Sequence, residues 1–365
     1  PLPFDLPTAG GEFTFDVSFR QRTTTAWAGA GHEVAFGQGV LETRPNDGGA
    51  FPDPVRRAGA GGTAAGPLRR STGQVRVIDD AHNIGVHGPH FSALFSKIRG
   101  GLSSYRYGLT PDGGRELLRA VPLSNFWHAP TDNENGWGMA HRDGPWLLAS
   151  RYARPAEAGP VLERRGDVVV VRYTYALPPA AGGECTVAYA VDGAGRVEVT
   201  LALQPGEGLA DPPEFGLMME VPADLERLVW YGEGPEECYV DRRGGARLGV
   251  YERKVADLLP GYVRPQESGS RTGVRWAEVA DTQGRGLRFE AEVPMEFSAL
   301  PWTPFEVENA RHPVDLPPIQ KTVLRPALMR RGVGGDDSWG SMTHPEYRLP
   351  EGELEFTFAF QGLLG

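Results

Sequence analysis

The sequence predicts an all-β chain dominated by a large antiparallel sandwich. Three observations carry this. Its 365 residues include 49 glycines and 32 prolines, and helix-favouring runs are few. Short runs of alternating apolar and polar residues recur closely from Val75 onward. They show no repeat period, which reads as a large sandwich of two big sheets packed face to face.

The elements follow in order. Phe13, Phe15, Val17 and Phe19 alternate with Thr14, Asp16 and Ser18, which predicts a strand with one face buried. A second apolar run covers Val34 to Leu41. Two strands bury too little surface to stand as a domain, so residues 1–43 read as the end of a sandwich whose earlier strands are missing. From Arg44 to Gly73 the pattern collapses into Gly, Ala and Pro, which predicts a linker. Residues 74–365 form the main domain. Val168 to Leu177 is rich in β-formers. Cys185 to Ala190 and Arg196 to Leu203 flank Asp192-Gly193-Ala194-Gly195, a hairpin turn. Val229 to Tyr231, Gly273 to Val279, Leu287 to Val293 and Leu354 to Phe360 continue the series. One helix is predicted after Gly144, with Pro145 at its first position and Trp146 to Arg154 following.

Bulk properties narrow the function. A net charge of -10 argues against nucleic acid and against an anionic membrane surface. No apolar run approaches the ~18 residues of a membrane span. Cys185 and Cys238 are the two cysteines, and Cys185 sits in a strand-like run as a buried thiol rather than half of a bridge. No Cys/His spacing resembles a zinc site, and His82, His87 and His90 fit no ligand template. The start, PLPFDLPTAGG, has neither a basic region nor an apolar core, and reads as the beginning of a fragment.

Four segments carry more chemistry than turns require. Asn125 to Gly138 reads NFWHAPTDNENGWG, with Asn125, Asp132, Asn133, Glu134 and Asn135 around Trp127 and Trp137. Flat apolar faces beside dense hydrogen-bonding groups suit a sugar ring, while Asn, Asp, Gly and Pro equally suit a tight turn. The other three are WYGEGPEECYVDRRGG (230–245), YVRPQESGSRTGVRW (262–276) and GVGGDDSW (332–339). Glu233, Glu236 and Glu237 could supply a glycosidase carboxylate pair, which must sit ~5–9.5 Å apart across the bond. The plainer reading pairs them with Arg242 and Arg243 or leaves them at a turn. GGDDSW lacks the EF-hand ligand spacing, leaving a sugar platform as its functional reading.

In this order, TTTAWAGAGHEVAF, FSKIRGGLSSYRYG, NFWHAPTDNENG, GEGPEECYVDRR, YVRPQESGSRTGVRW, ARHPVDL and GGDDSW resemble the C-terminal region of family 2 glycoside hydrolases, the large bacterial β-galactosidases. The resemblance spans nearly everything except residues 44–73. It implies that residues 1–43 end an immunoglobulin-like domain. It implies that 74–365 is the whole galactose mutarotase-like β-supersandwich, sometimes encoded separately as the small chain. The family's catalytic glutamates belong to a preceding barrel, as do its magnesium and sodium ions, so no catalytic residue, metal ligand or cofactor is expected here. The partners implied are that barrel or a large chain, a galactoside and further subunits of an oligomer, in the cytoplasm unless the parent is secreted. Trp339 resembles a tryptophan that stacks on substrate at the aglycone side. Gly136 to Gly144 resembles a mobile active-site loop, placing Gly136, Gly138, Met139, His141 and Asp143 beside the pocket, although Trp137, Met139 and His141 depart from the family pattern. Trp137 is either a second platform or simple packing. The rival readings are a carbohydrate-binding module and an aldose epimerase-like protein.

Overall fold

A computed structural model describes residues 11–43, 73–109 and 114–365. The predicted linker, apart from Gly73, lies outside these residues. The chain divides into two compact units, Pro1–Pro67 and Leu68–Gly365.

In the first unit, strands Gly11–Arg20 and Glu33–Thr43 pair antiparallel, from Gly11 opposite Thr43 to a bulge at Phe19/Arg20. The alternation of Phe13 to Phe19 is realised as a strand, but its expected buried face is open. Phe15, Val17 and Phe19 are 38%, 50% and 61% exposed. Among the described residues this two-stranded ribbon has no second layer to cover either face.

The second unit is a sandwich. Its larger sheet has thirteen strands. From one edge nine of them run Val161–Arg165, Val168–Ala176, Gly183–Val191, Val197–Pro205, Leu354–Leu364, Arg285–Leu300, Ser270–Ala280, Arg227–Gly234 and Arg247–Lys254. The sixteen-residue strand Arg285–Leu300 serves two neighbourhoods. Its first residues pair with Leu354–Leu364, and its last five pair with Lys321–Arg330. Lys321–Arg330 passes the sheet on to Glu214–Pro222 and then to Leu123–Asn125. Among the described residues every strand pairing is antiparallel.

The predicted hairpin is present between Gly183–Val191 and Val197–Pro205. Asp192 closes it by accepting from the backbone N–H groups of Ala194 (2.9 Å) and Arg196 (3.0 Å), and Gly195 takes a left-handed φ of 81°. A five-stranded sheet, Arg76–Asp79 to Arg115–Glu116, lies against the larger one. Three tyrosines stitch the layers. The hydroxyl of Tyr105 donates to the Gly195 carbonyl (2.7 Å), that of Tyr173 to Ser96 (3.1 Å) and that of Tyr175 to Gly100 (2.9 Å). Their rings are buried with Phe91, Phe95 and Phe360, and each such burial contributes about 1.5–3 kcal/mol. Cys185 and Cys238 are buried free thiols, and burial pushes both up to about 11.

Candidate functional site

The segment that opened as a turn or a sugar contact is a short helix, Asp132–Trp137. Thr131 caps it. The Thr131 hydroxyl accepts from the Glu134 N–H (3.2 Å), and the Glu134 carboxylate accepts from the Thr131 N–H (2.9 Å). Gly138 ends the helix at φ 81°, and a second short helix, Met139–Arg142, follows. The third helix, Gly144–Tyr152, is the predicted one. Gly136 to Gly144 is therefore mostly helical, where a loop was expected. The reason is in the sequence: Thr131-x-x-Glu134 is a capping box.

Each predicted residue of this segment has a clear place. Gly136 and His141 are exposed and Gly138 is half-buried. Met139 is fully buried, so its side chain is core rather than pocket lining. Asp143 is fully buried in an ion pair with Arg331 (2.7 Å). Trp137 is half-buried, with the guanidinium groups of Arg142 and Arg331 over its ring at 5.8 and 5.6 Å. Its indole N–H is buried without an acceptor among the described residues. This geometry favours the packing reading of Trp137.

Trp339 lies in a turn about two hundred residues further on and is 89% exposed. Asp337 braces that turn, its Oδ1 accepting from the N–H groups of Trp339 (2.8 Å) and Ser341 (3.2 Å). These bonds hold the Asp337 carboxyl below its ordinary range. The base of the loop is tied to the 230–245 segment, where Asp241 Oδ2 accepts from the Gly334 N–H (2.7 Å). The structure brings this turn onto the helix Asp132–Trp137. The Asn133 amide nitrogen donates to the Ser341 carbonyl (2.8 Å), and its Oδ1 accepts from the Gly340 N–H (3.0 Å). A Cβ at Gly136 would sit 3.0 Å from the Gly340 Cα and 3.1 Å from the Trp339 carbonyl oxygen. The two segments thus touch backbone to backbone, which glycine alone permits.

Beneath them lies a buried charged floor. Arg331 pairs with Asp143 (2.7 Å) and Asp211 (2.8 Å), and Asp211 also takes Arg142 (2.7 Å). Arg325 and Arg330 share Glu214 at 2.7 and 2.8 Å, and Arg325 reaches Glu267 at 2.8 Å. Asn125 donates to Glu214 (2.9 Å). His128 Nε2 meets Glu134 at 2.9 Å, both sealed from solvent. Burial pulls His128 down, but the Glu134 charge and hydrogen bond outweigh it and leave the imidazole above its ordinary value. Burial pushes Glu134 up, and His128, the Thr131 N–H and Arg331 together hold it below its ordinary value. Burial lifts Glu296 to about 8, despite Arg330 beside it.

The carboxylates that invited a glycosidase reading are engaged elsewhere. Glu233 is held by Arg243 (2.9 Å) and Thr272, and Glu237 by Arg242 (3.0 Å) and the Tyr262 hydroxyl (2.7 Å). Glu236 is in solvent. Among the described residues no three His, Cys, Asp or Glu side chains converge to hold a metal ion. No helix among them is long and apolar enough to cross a membrane. The site can thus present an exposed indole and a rim of amides and carboxylates, on a rigid ionic base. Sequence reasoning missed Asp211, Arg331 and Asp241 as its supports. Only the capping box could have signalled the helix that carries Asn133.

Comparison with known proteins identifies the family of the chain. The family described as beta galactosidase small chain matches residues 87–361, and beta-galactosidase domain 4 matches residues 1–42. A β-galactosidase of Halalkalibacterium halodurans is 40% identical over 98% of this chain and 34% of its own length. A β-galactosidase small subunit of Latilactobacillus sakei is 30% identical, over 79% of this chain and 98% of its own length. Among solved structures, galactose 1-epimerase from Lactobacillus acidophilus NCFM is similar at a TM-score of 0.41 and 10% identity, over 80% of this chain and 99% of that one. The chain spans about a third of the length of the full-size β-galactosidases it matches, and it belongs to the β-galactosidase small-chain family.

Proposed function

We propose that this chain completes the active site and the assembly of a family 2 β-galactosidase. The catalytic acid/base and nucleophile glutamates, with the magnesium and sodium ions, then belong to a barrel or large chain outside it. The observation that carries the reading is the meeting of the Trp339 turn with the helix Asp132–Trp137. Two segments that resemble parts of a galactosidase pocket, far apart in sequence, form one rim. The parent enzyme hydrolyses terminal β-galactosides in the cytoplasm as an oligomer, with retention through a covalent glycosyl intermediate.

Within that scheme the part of this chain is to bind and orient. The Trp339 indole offers an apolar face for the leaving sugar while its backbone N–H is fixed by Asp337. Covering ~60–80 Å² of that face is worth roughly 1.5–2 kcal/mol, which corresponds to about a tenfold or greater change in KM. The test joins the chain to its barrel-bearing remainder. The chain alone should hydrolyse a nitrophenyl β-galactoside at background rate, and the joined enzyme should hydrolyse it well. Trp339→Ala should raise KM for a disaccharide substrate by about tenfold. Substantial turnover by the isolated chain would overturn the reading, as would an unchanged KM in the variant.

The exposure of Trp339 also favours a second reading, a carbohydrate-binding module. Calorimetry on the isolated chain separates the two, since a module binds saccharide unaided and a completing domain does not. An epimerase needs a His and a carboxylate meeting at one sugar. The His128–Glu134 pair is sealed from solvent and cannot reach one, while His344 and Asp336 meet at 2.7 Å in solvent, so a polarimetric assay for galactose mutarotation decides for or against this reading.

A further inference from the structure

We infer that Asn133 is the positioning residue of this site: its side-chain amide locks the Trp339 turn to the helix Asp132–Trp137, so that platform and helix move as one body. The inference deepens the reading of Trp339 as a sugar contact and rests on it for its functional meaning. The lock itself stands on geometry. A single planar amide spans two consecutive residues of the turn, accepting from the Gly340 N–H (3.0 Å) and donating to the Ser341 carbonyl (2.8 Å). Asn and Gln are the side chains that combine a donor and an acceptor in one such plane. Asp keeps the acceptor and loses the donor. Ser lacks the reach for both.

Three features make the lock stiff. First, the helix is anchored below by Glu134 on His128 (2.9 Å). It is anchored at its start by Gln266, whose Oε1 accepts from the Asp132 N–H and whose Nε2 donates to the Asp132 carboxylate, each at 3.0 Å. Second, the turn is braced internally by Asp337, so fixing Gly340 and Ser341 also fixes the residue before them. Third, the contact is too close for side chains on either partner. A Cβ at Gly340, whose φ is 118°, would sit 2.8 Å from the carbonyl carbon of Gly136. Trp339 is 89% exposed and, among the described residues, no side chain holds its ring, so its backbone must supply its placement. An indole free to swing would lose entropy on meeting a sugar. Asn133 removes the backbone share of that loss in advance, which is an effect on binding rather than on bond cleavage.

The experiment is fluorine NMR on this chain labelled with 5-fluorotryptophan. Its eight tryptophans give eight resonances, and Trp339→Phe identifies the relevant one. In Asn133→Ala and Asn133→Asp the Trp339 resonance should narrow about twofold or more as the ring gains fast local motion. The other seven should stay in place, which shows that the fold is intact. Asn133→Gln should restore part of the linewidth. A Trp339 resonance unchanged in width and position in both Ala and Asp variants would overturn the lock. The joined enzyme then separates the lock from the reading beneath it. Asn133→Asp should raise KM for a disaccharide about threefold to tenfold, with kcat nearly constant, as expected for one or two lost hydrogen bonds. If Trp339→Ala raises KM and Asn133→Asp does not, the positioning role is refuted and the sugar contact stands. If the fluorine signal narrows while Trp339→Ala leaves KM alone, the lock stands and the sugar contact is refuted.

Discussion

Arg331→Met tests whether the charged floor supports the site. Methionine fills much of the volume of the arginine stem, so the change removes charge without opening a large cavity. The side chains stranded by it are Asp143 and Asp211, 0% and 4% exposed. Breaking a buried pair by removing one partner costs about 3–5 kcal/mol. Arg142 moderates this, because it still reaches Asp211 at 2.7 Å and Asp143 at 3.1 Å. The guanidinium face over Trp137 is lost as well, a further contribution of ~1 kcal/mol. A loss of about 4 kcal/mol is the expected sum, read as a lower urea midpoint by tryptophan fluorescence.

The pH dependence supplies the sharper check. Burial raises Asp143 above its ordinary value even with Arg331 present. A carboxyl raised on folding binds its proton more tightly in the native state, so its contribution falls as pH rises. Without Arg331 that carboxyl should rise further. The gap between variant and parent should then widen from pH 5 to pH 8 and shrink toward acid. Asp143→Asn added to Arg331→Met should recover about 1–2 kcal/mol, because the stranded charge is gone. A single-variant loss under about 1 kcal/mol, or a gap that grows toward acid, would refute the account.

Other outcomes follow from the same geometry. Glu296 is lifted to about 8 by burial, so it is protonated at neutral pH and Glu296→Gln should change stability little there. Its raised value makes the parent lose stability as pH rises from about 4.3 toward 8, and that slope should be absent in the variant's urea midpoints. His128 is raised, so its contribution is full below about 6.5 and lost as pH climbs past its folded value. Glu134 is lowered, so its contribution is lost toward acid. His128→Leu should therefore cost most between the two and strand Glu134 there, by about 3 kcal/mol. Gly340→Ala should destabilise the turn by about 1–3 kcal/mol, since its φ of 118° and the Gly136 backbone leave no room for a methyl group. A thermal midpoint matching the parent would contradict that.

Much of the fold follows from local pattern. Period-two alternation found strands of the larger sheet that have one face on a shared core, as in Val187, Tyr189 and Val191, but it missed Glu214–Pro222 and Lys321–Arg330, which are buried on both faces and show no alternation. Asp192 to Gly195 named its own turn through backbone chemistry within four residues. The site was only partly readable. GGDDSW and NFWHAPTDNENG stood out by composition, but nothing local indicates that Asn133 meets Ser341. Such a contact depends on the register of the intervening strands. Arg331 was invisible for the same reason, because its partners Asp143 and Asp211 come from other parts of the chain. Met139 misled because a loop reading hides a helix whose inward face is core.

The strand Lys321–Arg330 and the residue after it bear on how the molecule assembles. They bring Arg325, Arg330 and Arg331 to carboxylates at 143, 211, 214, 267 and 296. All five precede these arginines in the chain, so they leave the ribosome first and lack their counter-charges. Burying them uncompensated would be costly, so the helices at 132–143 have no settled floor until the last strands arrive. Contacts this far apart in sequence form late. The rim that holds Trp339 is therefore among the last parts of the unit to take shape, and until then the sandwich exposes surface that needs protection from aggregation.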